Sequence, residues 1–254
     1  MPDNVPSTKE SANQRSITMH AVLIGLTPLI PVPFVDDMVK GYFQRRLVRS
    51  LALAHGREVN EADVATLTEE RGGGCLSGCL GQVFIFPLKM IFRKVFFFLE
   101  WKRAVDLTSH SYHQGYLLDY SLREGWLGRT PHARNAADVR TAIDEVCRAA
   151  PIKPVESAIK ISFRQSKSML KAGARVLEQA LRRVAGRRPD ERELSAAVTA
   201  VEAEEEREIG GVVSRLQKSI EAIPDEHFKT LRTQLAARLR EQPRLQPPGI
   251  AQKR

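Results

Sequence analysis

Three side chains that could bind a metal ion share one face of a predicted helix. Asp106, His110 and His113 are spaced i, i+4 and i+7, which places a carboxylate and two imidazoles on the same side. A complete site needs a fourth group or a water molecule, and the sequence shows no Glu-x-x-His helix to supply a partner. We therefore favour a polar helix face with ordinary histidines, and predict no metal and no cofactor.

No other arrangement of residues is typical of a catalytic site. The sequence has no glycine-rich phosphate loop, no Ser/His/Asp ordering and no paired carboxylates in an apolar setting. Its three cysteines, Cys75, Cys79 and Cys147, are an odd number without a disulfide framework, which favours a reducing compartment. We predict a protein that is not an enzyme and that is exposed to the cytoplasm.

The positive charge is concentrated in the second half of the chain. The 254 residues carry a net charge of +9 and are 43% hydrophobic, so they can bury one large core or two small ones. Residues 1–128 hold 14 Lys/Arg against 13 Asp/Glu, whereas residues 129–254 hold 25 against 17. This asymmetry suggests a polyanionic partner or surface for the C-terminal half.

A proline corner separates two apolar segments near the N-terminus. The stretch LTPLIPVPFVDDMVK holds three prolines followed by two aspartates, namely Pro28, Pro31, Pro33, Asp36 and Asp37. Each proline lacks a backbone donor and disfavours helix at the residue before it, while either aspartate can cap a new helix. The pattern predicts a stiff turn between two apolar helices, which either engage a bilayer or form a buried hairpin in a soluble domain.

Residues 19–67 are similar to the hydrophobic hairpin of an uncharacterised bacterial inner-membrane family that accompanies Era-like GTPases, and more distantly to EcsC-like proteins. Pro31-Val32-Pro33 followed by Asp36 or Asp37 matches the Pro-Ile-Pro-x-x-x-Asp corner of that family. His55-Gly56 stands where the family has a Tyr-Gly pair. The resemblance implies an α-helical, membrane-associated protein without known catalysis, and a GTPase as a partner.

A phenylalanine-rich segment follows a run of glycines. Six of the ten phenylalanines lie between Phe84 and Phe98, and on a helix the neighbouring cations could reach lipid headgroups from an adjacent face. This composition is typical of a helix in a membrane interface, although the core of a soluble helical bundle is the alternative. The candidate membrane contacts are Phe84, Leu88, Lys89, Ile91, Phe92, Arg93, Lys94, Phe96 and Phe97.

Neither apolar run predicts a simple membrane span. Residues 21–35 are too few and are interrupted by prolines, and the charge-free part of the second run covers only the 14 residues from Cys75 to Leu88. A spanning helix needs about 20 apolar residues.

Two helices of opposite charge are predicted in the second half. Residues 153–188 hold ten Lys/Arg against two Glu on one long helical stripe, and residues 190–208 hold eight acids against two Arg. The resulting charges of +8 and −6 predict an antiparallel hairpin. The basic side chains near the turn of this hairpin could contact anionic lipid, and they are Arg182, Arg183, Arg187 and Arg188.

We therefore predict an all-α protein with a hydrophobic helical hairpin region and a charged antiparallel helical hairpin or bundle. The expected divisions are a disordered tail (1–18), a hydrophobic, membrane-associated region (19–128), a charged helical region (129–241) and a second tail (242–254). The expected function is a non-enzymatic interaction or scaffold protein on the cytoplasmic face of the inner membrane, which binds anionic lipid and a protein partner and could form homo-oligomers. The alternative is a soluble helical module that binds nucleic acid or another polyanion through residues 153–188.

Overall fold

Helix is the only regular secondary structure in the part of the chain that the structure describes. This computed structural model describes residues 8–30, 36–69, 93–182 and 209–242, and no strand occurs in these ranges. The all-α fold class is confirmed. The helices are α1 (Thr8–Leu26), α2 (Asp36–Ala54), α3 (Glu61–Thr68), α4 (Arg93–Arg123), α5 (Ala136–Ala149), α6 (Lys153–Gln165), α7 (Lys167–Arg182), α8 (209–221) and α9 (Asp225–Glu241).

Helix α1 begins earlier than the sequence predicts. Its polar composition predicts a disordered tail over residues 1–18, but α1 starts at Thr8, so the prediction is wrong for residues 8–18. Ile17 is buried, and the Asn13 amide donates to Asp119 Oδ1 at 2.8 Å across 106 positions of the chain. Tertiary contacts therefore order a segment that composition alone marks as a tail.

The apolar hairpin lies at the centre of the core. Helix α1 packs against α2 and α4, and α2 also packs against α3 and α4. Of the two arrangements that the sequence leaves open for these helices, the structure contains the packed hairpin. Its most buried apolar side chains are Ile17, Ala21, Val22, Ile24, Leu26, Val39, Phe43 and Leu51.

Two glycines allow α4 to run antiparallel to α1 at close range. Gly25 packs on Ala104 and Thr108, whereas Gly115 packs on Ile17. A Cβ atom at Gly25 would overlap the Thr108 hydroxyl and lie 2.9 Å from the Ala104 carbonyl oxygen. A Cβ atom at Gly115 would lie 2.9 Å from Ile17 Cγ2. The separation of the two helices therefore depends on the absence of side chains at these positions.

The proline corner begins with a 3₁₀ turn, Thr27–Leu29, directly after α1. The Thr27 hydroxyl donates to the Ile24 carbonyl at 2.8 Å, and the Ile30 amide donates to the Thr27 carbonyl at 3.1 Å. Pro28 is buried in this turn. Asp36 and Asp37 are the first residues of α2, as expected of aspartates that start a helix, and Pro31 and Pro33 lie outside the described residues.

The C-terminal helices follow most of their sequence signals. The Asn135 side chain accepts from the Ala137 amide at 2.9 Å and caps α5, which confirms the predicted cap. Pro224 separates α8 from α9, and the predicted stripe of Val212, Leu216 and Ile220 is buried.

The basic stretch is not one continuous helix. A helix through residues 153–188 was the expectation from the apolar stripe, but α6 ends at Gln165 and α7 begins at Lys167. Ser166 stands between them, where its carbonyl accepts the Leu170 amide at 3.0 Å and its hydroxyl accepts Arg215 NH1 at 2.9 Å. A long-range polar contact thus stabilises a break that the stripe does not reveal.

Helix α8 runs antiparallel to α6 and α7. The Ile209 side chain of α8 packs on Gly173 of α7, and Arg215 NH1 donates to the Ser166 hydroxyl. The Ser219 hydroxyl lies 3.2 Å from the Ser162 hydroxyl of α6. This direction agrees with the predicted antiparallel hairpin. The turn and the acidic half of that hairpin fall within residues 183–208, which lie outside the described residues.

Helices from both sides of residue 128 contribute to one hydrophobic cluster. Helix α5 packs against α3 and α4, α6 packs against α4, and α9 packs against α4 and α5. The hydrophobic and charged regions of the sequence are therefore joined by a shared core.

Replacing Gly25 by alanine should lower the free energy of unfolding by about 2 kcal/mol, because the added methyl group overpacks the contact between α1 and α4. In helices that tolerate the methyl group, the same substitution raises stability by roughly 0.5–1 kcal/mol. Urea unfolding followed by circular dichroism measures the difference.

Gly41→Ala in α2 is the matched control, because a Cβ atom there meets only Arg45 NH1, the end of a flexible side chain, at 3.4 Å. We expect this variant to be as stable as the original protein or more stable. Equal effects of the two substitutions would contradict the assigned contact between α1 and α4.

Candidate functional site

Most of the predicted contact residues lie outside the part of the chain with described side chains. Phe84, Leu88, Lys89, Ile91 and Phe92, as well as Arg183, Arg187 and Arg188, lie outside the described residues. Arg93, Lys94, Phe96 and Phe97 are in the first turns of α4, and Arg182 ends α7, but only their helical backbone is described. The described residues next to these segments therefore carry the structural evidence on a membrane-binding surface.

The described parts of the three predicted membrane elements approach one end of the helical bundle, which we call the corner end because it contains the 3₁₀ turn, Thr27–Leu29. This turn packs against both α4 and α7. A Cβ atom at Gly173 of α7 would lie 3.7 Å from Leu26 Cδ1. Since Gly25 lies beside Ala104, the first turns of α4 extend roughly 15 Å beyond the end of α1.

Exposed apolar side chains occur at the corner end. The rings of Trp101 and Phe163 pack edge to face at 5.9 Å and join α4 to α6. Leu99 and Ile161 each stand two residues before one of these rings, so they point to the outer side of their helices. Leu99 is 52% exposed and Ile161 is 55% exposed. Ile152, at the other end of α6 from Phe163, is 42% exposed.

The outer side of α6 and α7 is basic. Glu156 is half-buried and pairs with Lys160, and Glu178 is also half-buried. The exposed cations of this side are Lys153, Lys160, Arg164, Lys167, Lys171 and Arg175. Cations around exposed leucine and isoleucine are the combination by which peripheral proteins bind anionic bilayers.

A polar cluster closes the opposite end of the bundle, which we call the clamp end. His55 Nε2 and Asn13 Nδ2 each lie 2.8 Å from Asp119 Oδ1 and 3.2 Å from one another. Their positions on α1, on α4 and just after α2 are joined only by tertiary folding. A carboxylate that holds an imidazole is also one part of a catalytic site, but the described side-chain hydrogen bonds of His55 reach only Asn13 and Asp119.

A second polar cluster borders a small cavity. Arg140 Nε donates to Asp144 Oδ2 at 3.0 Å, Arg140 NH1 donates to the Leu67 carbonyl at 2.7 Å, and Gln114 donates to Asp144 Oδ1 at 3.0 Å. The cavity beside Gln114 and Ser111 has a volume of about 30 Å³, which suits one or two water molecules. This cluster therefore serves to join α3, α4 and α5.

The structure does not bring the three metal-ligand candidates of α4 into one site. Asp106 and His110 are exposed, whereas His113 is buried beside His227 of α9. Within the described ranges, no group of three or more His, Cys, Asp or Glu side chains could hold a metal ion.

No helix in the described part of the chain is both long enough and apolar enough to cross a membrane. Comparisons of the chain with protein-family models, with curated proteins and with solved structures found no match. The resemblance of residues 19–67 to the inner-membrane family thus stays a prediction.

Asp119→Ala should lower the free energy of unfolding by about 1–3 kcal/mol, because it leaves Asn13 and His55 without their shared acceptor in a half-buried setting. Asp106→Ala is the control on the exposed side of the same helix, and should change stability by less than about 0.5 kcal/mol. Chemical denaturation measures the free energy of unfolding of both variants. If their losses were equal, Asp119 would have no clamping role.

Proposed function

We propose that the protein is a non-enzymatic helical interaction protein that binds the anionic surface of a membrane through its corner end. The observation that carries the proposal is the convergence of three separate sequence elements. One end of the bundle contains the 3₁₀ turn of the proline corner, the start of α4 after the phenylalanine-rich segment, and the parts of α6 and α7 that pack against them.

The buried hairpin favours peripheral binding over insertion of α1 and α2. Their apolar side chains already contact α4, so insertion would have to expose the core. Leu99 and Ile161 need no such rearrangement, and residues 84–97 shortly precede Leu99 along the chain. Each basic side chain near the surface would add about 1 kcal/mol of attraction to anionic lipid.

A partner protein and a location complete the proposal. The predicted position is the cytoplasmic face of the inner membrane, with a GTPase as the partner that the family resemblance implies. Binding by the corner end would leave the clamp end and α9 accessible to such a partner.

Nucleic acid is a less suitable ligand for the basic side. The single aromatic residue of 153–188, Phe163, is fully buried against Trp101 and cannot stack on bases.

Flotation with liposomes tests the proposal, with neutral and with anionic lipid at low salt and at about 1 M salt, where the screening length is about 3 Å. The original protein should float with anionic liposomes. The double variant Leu99→Asp/Ile161→Asp should lose at least about tenfold in affinity, because it replaces two exposed apolar contacts by negative charges. Lys153→Glu/Arg164→Glu should weaken the salt-sensitive part of binding.

Leu53→Asp is the matched control, because Leu53 is 82% exposed but lies at the clamp end, two residues before His55. This variant should float like the original protein. The proposal is wrong if the original protein floats with neither kind of liposome, or if Leu53→Asp reduces flotation as much as the corner-end variants.

A further inference from the structure

The C-terminal helix α9 is attached to the bundle by contacts of different kinds at its two ends. Near its start, His227 and Phe228 pack on His113 and Tyr116 of α4, with ring centroids 5.7 Å and 5.0 Å apart respectively. Near its end, the Leu239 carbonyl accepts Arg134 Nε at 3.0 Å.

The two histidines of this attachment have nitrogen atoms without hydrogen-bond partners. His113 is 1% exposed, and its Nδ1 lies 2.7 Å from the Ser109 carbonyl, so Nδ1 carries the proton and Nε2 is a bare acceptor. Among the described residues, the buried Nε2 atoms of both His113 and His227 lack a partner. The rings therefore fit as neutral, packed groups, and a proton on either Nε2 would be a buried donor without an acceptor.

In the part of the chain that the structure describes, no carboxylate compensates such a charge on His113. The charges that act on it directly are those of His227 and His110, and both oppose its protonation. Other charged groups act on the neighbouring residues His110, Tyr112 and Tyr116 of α4, namely Lys40 on α2, Asp119 and Arg123 on α4, Arg140 and Asp144 on α5, Glu221 on α8, and Asp225 and Arg232 on α9.

We propose that the His113–His227 pair is an acid-sensitive latch, which releases α9 from α4 at mildly acidic pH while the core of α1, α2 and α4 stays folded. Release would expose the ring of Tyr116 and the apolar side of α9, and so would create a surface that is covered at neutral pH. The latch is independent of the membrane proposal, because its residues lie on α4 and α9, away from α6 and α7.

The direction of the pH effect follows from burial. Desolvation lowers the pKa of His113 to about 4 and also lowers the pKa of His227, whereas both would titrate near 6.5 once released. The attachment is therefore at full strength above pH 6.5, and weakens as the pH falls from there towards 4.

Hydrogen exchange of the full chain, read by mass spectrometry and corrected for the intrinsic effect of pH, tests the latch. Between pH 7.5 and pH 5, protection of residues 225–241 should fall by about 30-fold from His113 alone. Protection of α1 should change much less. Equal loss in α1 and α9 would overturn the proposal, because it would report unfolding of the whole bundle.

His113→Phe/His227→Phe should keep α9 protected at pH 5, since phenylalanine retains the packing and cannot be protonated. If the double variant does not fold, His227→Phe alone, at the less buried position, takes its place. This single variant should reduce the loss of α9 protection between pH 7.5 and pH 5. His132→Phe, an exposed histidine in the connection between α4 and α5, is the control and should behave like the original protein. A latch variant that loses α9 protection at pH 5 as the original does would also overturn the proposal.

Discussion

The close packing of α1 on α4 is the contact on which the rest of the structure depends. Gly25 and Gly115 let the two helices approach along most of the length of α1, and α2 then packs against both. Because α4 also contacts α5, α6 and α9, its position relative to α1 sets the frame for the second half of the chain. The corner end and the clamp end exist only because α1 and α4 keep this antiparallel alignment.

The same contact decides how the hydrophobic segments can be used. An apolar helix that is buried against other protein helices has little apolar surface left for lipid, so hydrophobicity alone does not mark α1 as a membrane element. Two exposed apolar side chains, Leu99 and Ile161, lie where α4 extends past α1 and where α6 covers that extension. Packing thus moves the candidate membrane surface away from the most apolar part of the sequence.

Local sequence signals were sufficient to predict that the secondary-structure elements are helices and to predict several of the residues at which these helices begin or end. The end of α1 before Pro28, the Asn135 cap and the apolar stripe of α8 are predicted from neighbouring residues, and each is present in the structure. The clamp and the histidine latch join residues that are far apart in the chain, so no local pattern reveals them. For the same reason, neither the early start of α1 nor the break at Ser166 could be predicted.

The pairing of α1 with α4 has a consequence for synthesis of the protein. Helix α1 is made first, whereas α4 is complete only at Arg123, about 100 residues after Leu26. At roughly 5–20 residues per second, translation separates the two helices by about 5–20 s. During that interval α2 is the one α-helix among the described residues that is already made and packs against α1. Factors that bind apolar nascent segments therefore meet α1 before α4 does.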